Sequence, residues 1–312
     1  GSFFDGNNPA SNGSDDQAIA PDKRALLPGQ TATFSNYTSF SRGINGVMVD
    51  IQGLANPAGV SGSDFEFRVG NDNNPASWAS GPAPLSVTVR PGQGTGGSDR
   101  VTLIWTDGAI QKVWLQVLVK ATGNTGLSGP DLFYFGNAVG EAGNTPANAF
   151  VNATDEILAR NNQRTFLNPA SRDFPYDYNR DHFVNATDQI IARNNGTTFL
   201  DALRLIQVPP LDTTPPVIQT VSPADGERFR FPPVIDFRIV ATDSGGEALR
   251  YRFLLDGQVI QDWSDLAFFS LNTQVIPPGL RTLQVKAADP WNNQDSRTVQ
   301  FYLYRKPLEA HE

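Results

Sequence analysis

The sequence predicts a mainly β protein: an N-terminal antiparallel sandwich, a small helical unit in the middle and a second sandwich at the C-terminus. Three observations carry this expectation. Period-two alternation of apolar and polar residues recurs in both outer thirds of the chain. The 28 glycines and 23 prolines among 312 residues disfavour a helical bundle and supply many turns. A third observation, a duplicated segment near the middle, has the spacing of a short helix rather than a strand.

In the first region, residues 1–135, Phe65, Phe67 and Val69 fall on one strand face, with Asp64, Glu66 and Arg68 on the other. Leu85, Val87 and Val89 repeat the pattern, as do Val113, Leu115, Val117 and Val119, a strand expected to bury one face completely. Val47, Val49 and Ile51, and the run Val101 to Trp105, add two more. Short strands separated by Gly/Pro turns predict a β-sandwich of jelly-roll type. Residues 208–216 contain four prolines and predict a stiff linker. Beyond them, residues 217–306 alternate again at Ile235/Phe237/Ile239, Tyr251/Phe253/Leu255, Leu283/Val285/Ala287 and Val299/Phe301/Leu303. Asp256-Gly257 is a hairpin signal. About seven strands in this length predict an Ig-like sandwich, and the segment resembles bacterial Ig-like or fibronectin-III-like modules.

Composition excludes several functions. Acidic residues outnumber basic ones 32 to 24, a net charge of −8 that argues against nucleic acid as partner. The absence of cysteine removes disulfides, thiolate nucleophiles, zinc–thiolate sites and iron–sulfur clusters. His182 and His311 are too few for a multi-histidine site. No apolar run approaches the ~20 residues of a membrane span. No nucleophile elbow, phosphate loop or dinucleotide fingerprint is present, and no carboxylate pair sits in a recognisable motif, so no catalytic residues are expected.

The middle region, residues 136–207, is the most informative. Val151 to Asn162 recurs as Val184 to Asn195, with ten of twelve positions identical at an offset of 33, and Thr165-Phe166-Leu167 recurs as Thr198-Phe199-Leu200. This is an internal duplication. Ahead of the second copy, oxygen-bearing side chains fall at positions 1, 3, 5, 9 and 12 of the loop Asp177 to Asp188. Calcium takes six to eight oxygens, and a twelve-residue loop can wrap them around it in this order. Asp177, Asn179 and Asp181 would each give one side-chain oxygen and Phe183 its backbone carbonyl. Asn185 would bind directly or through water, and Asp188 would close the site. Val184 is expected to pair the two loops through a short bridge. His182 stands where a glycine is usual and is expected to adopt a positive φ.

The loop–helix duplication resembles the dockerin type I family, whose repeats are calcium loops each followed by one helix. The resemblance covers about residues 144–205, and the second loop matches closely. The first copy departs from the pattern: Asn144, Asn148, Phe150 and Asn152 occupy ligand positions, Asp155 is its one carboxylate, and Glu141 lies just upstream to lend another. Fewer anionic ligands imply weaker binding, so one calcium ion is expected and two are possible. The resemblance also implies a cohesin-like partner module, contacted by Ala153, Thr154 and Arg160 in one copy and Ala186, Thr187 and Arg193 in the other. With only about ten residues between the first sandwich and the first loop, the repeats are expected rather to serve as a structural clamp packed against the sandwich, burying Ile157, Ile190 and Ile191.

Two further features remain. The N-terminal stretch holding Asp5, Asp15 and Asp16 reads as a solvated polar leader. Of the five tryptophans, Trp78 and Trp291 lie in loop-like sequence and are the candidates for stacking on a polysaccharide. The expectation is therefore a non-catalytic, calcium-stabilised fragment of a secreted or bacterial cell-surface protein, with a structural, adhesive or assembly role. The alternative is a carbohydrate-binding ancillary region of a secreted polysaccharide-degrading enzyme.

Overall fold

The computed structural model describes residues 2–8, 10–230, 234–246 and 248–304. The chain is mainly β and divides into two compact units, Gly1–Pro210 and Leu211–Glu312.

The first unit opens with short 3-10 turns, in which Asp5 and Asp15 are buried as capping residues. Eight strands follow: β1 Tyr37–Thr38, β2 Gly46–Ile51, β3 Phe65–Gly70, β4 Ala79–Ser80, β5 Ser86–Arg90, β6 Asp99–Ile104, β7 Trp114–Val119 and β8 Asp131–Asn137. They form a five-stranded sheet in the order β1-β8-β7-β3-β4 and a three-stranded sheet in the order β2-β6-β5. All pairings are antiparallel except β1 with β8. Side chains at alternate positions, among them Val47, Val49, Phe65, Phe67, Val101, Leu103, Leu115 and Val117, make one core between the sheets.

Three expectations change here. The expected boundary at residue 135 falls inside β8, and residues 136–210 belong to the same unit as the sandwich. The reason lies in β7, which was expected to bury one face and buries both. Trp114 is fully buried on the side away from the sandwich core, and its indole nitrogen donates to the Arg204 carbonyl at 2.8 Å. Asn71 donates to the Ala202 carbonyl, and Ala32 N–H donates to the Ile206 carbonyl. The segment after the repeats thus covers the outer face of the larger sheet. The N-terminal leader is docked rather than free in solvent, with Asp5 and Asp15 buried although many of its other residues are exposed. Asp16 bonds Arg90 and Arg100, and Phe4 packs against the His182 ring at 4.1 Å between centroids.

The repeats supply α1 Ala153–Asn161 and α2 Ala186–Asn194. Each begins with a capping box. Asn152 and Asn185 accept from the amides of Thr154 and Thr187, while Asp155 and Asp188 accept from the amides of Asn152 and Asn185. The helices pack on one another through Ala159 and Ala192, both fully buried. Gly140, at φ 83°, lets the backbone approach α2: a Cβ there would sit 3.0 Å from the Ala192 Cα. Ile157 and Ile190, expected to be buried, are 41% and 49% exposed, and Ile191 is half-buried. Helical spacing explains this: residues 155 and 159, and 188 and 192, lie one turn apart on the inner face, whereas 157 and 190 lie roughly opposite.

The second unit is a sandwich of a five-stranded and a three-stranded sheet. Its strands are β9 Val217–Ser222, β10 Glu227–Phe229, β11 Val234–Thr242, β12 Arg250–Leu255, β13 Gln258–Ser264, β14 Phe268–Asn272, β15 Gly279–Ala288 and β16 Gln294–Leu303. The orders are β10-β16-β15-β12-β13 and β14-β11-β9. Phe237, Phe253, Val285 and Phe301 are fully buried between them. The turn joining β12 to β13 has Asp256 and Gly257 both at positive φ, as an Asp-Gly hairpin requires. His311 lies outside the described residues.

Candidate metal centre

The loop from Asp177 to Asp188 is wound around its own carboxylates. The Asp177 carboxylate accepts from the amides of Asp181 (3.1 Å) and His182 (3.0 Å). Asn179 and Asp181 bond each other at 2.7 Å, and the Phe183 amide donates to Asp181 at 2.9 Å. Two residues turn the chain through the left-handed region, Arg180 at φ 55° and His182 at φ 73°. Asp188 closes the loop: one oxygen accepts from Tyr178 N–H at 2.8 Å and the other from Asn185 N–H at 3.0 Å. Asp177 and Asp188 are both fully buried, Asn179, Asp181 and Asn185 are half-buried, and Phe183 sits at the surface.

Burial of two carboxylates in one loop is electrostatically costly. Removal from water pushes Asp177 up to about 7, against the pull of the Arg180 guanidinium, and Asp188 is raised for the same reason. Arg180 is itself buried and is bonded to the Phe174 carbonyl and the Ser39 hydroxyl. A hard divalent cation fits this donor set, since it would replace the lost hydration of both carboxylates with direct ligation.

The first copy is built differently. Asn144 is exposed, Asn148 is half-buried and accepts from the Phe150 amide, and Asn152 is an exposed helix cap. The residue that plays the part of Asp177 is Glu141. Ala142 N–H donates to Asp155 as Tyr178 N–H donates to Asp188, and Glu141, like Asp177, is the buried acid just before that amide. Glu141 accepts from the Tyr37 hydroxyl at 2.6 Å and from Gly143 N–H, while its Oε1 is buried with no hydrogen-bond partner among the described residues. Burial pushes Glu141 up to about 7, and burial also raises Asp155. Alignment at the constant offset points to Asn144 because the first loop is three residues longer than the second. Glu141, expected only as an additional upstream donor, stands at the loop's first position instead. Tyr37 and Tyr178 were not anticipated. Tyr178 is fully buried between the copies and donates its hydroxyl to the Asp155 carbonyl at 3.3 Å.

Val184 does not pair the loops with each other. It bridges to Arg164, after α1, and Val151 is joined to Thr197, after α2. Because the two helices pack side by side, each helix exit runs beside the other copy's loop.

Ala153, Thr154, Arg160, Ala186, Thr187 and Arg193 are all exposed. The two faces are nevertheless unequal. Arg193 is bonded to Glu156 across the helix pair, and the second copy has Gln189 where the first has Glu156. Trp78 is not exposed. It is 6% accessible, donates its indole N–H to Asp72 at 2.9 Å and meets the Tyr134 ring edge-on. Gly70 makes the space, since a Cβ there would overlap the indole ring. Trp291 is half-buried.

No family model and no curated protein matches the chain. Solved structures similar to parts of it include fibronectin(III)-like modules of Clostridium thermocellum CbhA, at 19% identity and a TM-score of 0.24, covering 30% of this chain and 99% of that one. An endo-β-1,4-mannanase from Thermotoga petrophila aligns at 13% identity and a TM-score of 0.25, over 44% of this chain and 29% of that one. The SGBP-B protein of the Bacteroides ovatus mixed-linkage glucan utilization locus, solved with a mixed-linkage heptasaccharide, aligns at 15% identity and a TM-score of 0.24. That match covers 30% of this chain and 25% of the other. The chain therefore spans under a third of the latter two proteins. Among the described residues, no helix is long and apolar enough to cross a membrane.

Proposed function

We propose that the chain is a non-catalytic, dockerin-like module pair of an extracellular or bacterial-surface protein, in which calcium in the 177–188 loop holds the repeats against the N-terminal sandwich. The observation that carries this is the pair of fully buried carboxylates, Asp177 and Asp188, in a loop turned inward at Arg180 and His182. When bound, the ion would supply positive charge to acids that are otherwise buried at a cost. Asp177, Asn179, Asp181 and Asp188 would hold it with the Phe183 carbonyl. Asn185 acts first as a helix cap. Glu141 and Asp155 would hold a second, weaker ion.

In this reading the repeats act chiefly as a clamp. The helix starts, Ala153-Thr154 and Ala186-Thr187, remain exposed for a cohesin-like partner, and the pairing of Arg193 with Glu156 would favour one docking orientation over two. The alternative reading, polysaccharide binding, now rests on Trp291. Retention of wild type and Trp291→Ala on immobilised glucans and mannans tests it, and equal mobility with and without polysaccharide removes it.

Calorimetric titration with calcium, paired with thermal melts, tests the main reading. At least one ion should bind to wild type, and at 100-fold excess over its dissociation constant the first unit should gain about 2.7 kcal/mol. Asp188→Ala should lose that ion. Absence of binding heat together with melting unmoved by chelator would remove the proposal.

A further inference from the structure

The second unit contains three acids that neither the duplication nor the strand pattern singles out. Asp212 lies in the proline-rich entry segment, Asp243 just after β11, and Asp289 just after β15. One carboxylate oxygen from each lies within 4.8 Å of the other two. The three come from distant parts of the chain, so the fold itself assembles them.

Their hydrogen bonds leave two carboxylate oxygens unsatisfied among the described residues. Asp289 is fully buried and has both oxygens held by Asn293, through its backbone N–H at 2.8 Å and its side-chain amide at 2.7 Å. The same amide donates to the Asp212 carbonyl at 3.0 Å. Asp212 Oδ1 accepts from Thr214 N–H, and Asp243 Oδ1 accepts from Gly245 N–H, each at 2.8 Å. The Oδ2 atoms of Asp212 and Asp243 are both buried and have no hydrogen-bond partner among the described residues. No Lys or Arg ion pair with any of the three is found among the described residues either. A buried carboxylate oxygen without a donor carries its full desolvation cost, and neighbouring like charges add repulsion. Two such oxygens facing a third acid call for a cation.

We infer that Asp212, Asp243 and Asp289 form a divalent-cation site, separate from the repeat loops, that takes calcium. The donors are all oxygen, as a hard cation requires, and they come from three separate connections rather than from one strand or helix. Calcium accepts irregular coordination, whereas magnesium demands a near-ideal octahedron. The ion would tie the entry segment at Asp212 to the ends of β11 and β15, fixing where the chain joins its sandwich. The turn at residues 289–293, including Trp291, is then shaped by the site.

The test uses the full chain and separates this ion from the one in the repeats. Calcium stoichiometry is measured by calorimetry for wild type, Asp243→Asn and Asp188→Ala. Asp243→Asn should lose one ion and Asp188→Ala should keep that ion while losing the other. Wild-type crystals soaked in terbium give an independent reading that needs no variant: an anomalous peak is expected among Asp212, Asp243 and Asp289. An Asp243→Asn protein that binds as many ions as wild type, or terbium found at the 177–188 loop but not among these three acids, overturns the inference and leaves the repeat site standing. A peak here with none at 177–188 does the reverse.

Discussion

Asp177 and Glu141 are the residues whose burial most shapes the behaviour of this protein. Both are fully buried acids held near pH 7, far above an ordinary carboxylate, because folding strips their water. The folded state therefore prefers them protonated. In the metal-free protein, the stability these groups contribute should be greatest below about pH 4 to 5 and should be lost as pH rises through 7, because over that range the folded chain holds protons that the unfolded chain has already released. Calcium competes with those protons, so its affinity should fall as pH drops below 7. Melts across pH 5 to 8 should lose stability with rising pH in chelator, and saturating calcium should flatten that slope; equal slopes in the two conditions would contradict the assignment. Trp78 makes a second prediction at this scale. As a buried ring packed on Tyr134, its replacement by alanine should cost about 3 to 5 kcal/mol, measured by urea unfolding, and should leave retention on polysaccharide unchanged.

Among the elements, the two short helices show where a sequence pattern is legible and where it is not. Their existence and place after each loop could be read from the duplication, while Asn152 and Asn185, read as metal ligands, are in the structure caps that satisfy the first amides together with the Asp three residues on. The inner faces of the helices could not be read. Isoleucine suggests the core, but Asp155 and Asp188 are fixed inward by the capping box, and helical spacing then assigns the interior to Ala159 and Ala192. Ala192→Leu should consequently cost about 1 to 3 kcal/mol by overpacking against Gly140, while Ile190→Ala should change stability by about 0.5 kcal/mol or less. Chemical denaturation of both variants in calcium checks the contrast, and a larger loss for Ile190→Ala would reverse the assignment of faces. The loop before α1 is the companion case: Asp155 and Glu141 were both named from the sequence, but the place of Glu141 at the loop's first position was hidden because it sits outside the repeated register.

At the scale of the molecule, the sandwich and the repeats are one unit because the larger sheet needs cover on both faces. Trp114 and Tyr37 are fully buried under the chain that follows β8 and α2. A fragment of residues 1–135 should therefore be expressed as an aggregation-prone chain, with β8 cut short and Trp114 uncovered. Residues 1–210 should fold with a single cooperative transition that calcium raises. Circular dichroism melts of the two fragments decide this, and a cooperative transition in 1–135 would show the sheet to be self-sufficient.

The sequence by itself determined the mainly β class, the longer alternating strands of both sandwiches, the Asp-Gly hairpin, the duplication and the oxygen-rich second loop. Each of these depends on residues close together in the chain, where spacing translates directly into geometry. Only the tertiary structure decided that the repeats merge with the first sandwich, that Trp78 is core and that Glu141 faces Asp155. It also decided that Asp212, Asp243 and Asp289 meet. Those facts depend on which distant segments pack together, and packing is chosen by the burial of whole faces rather than by any local pattern.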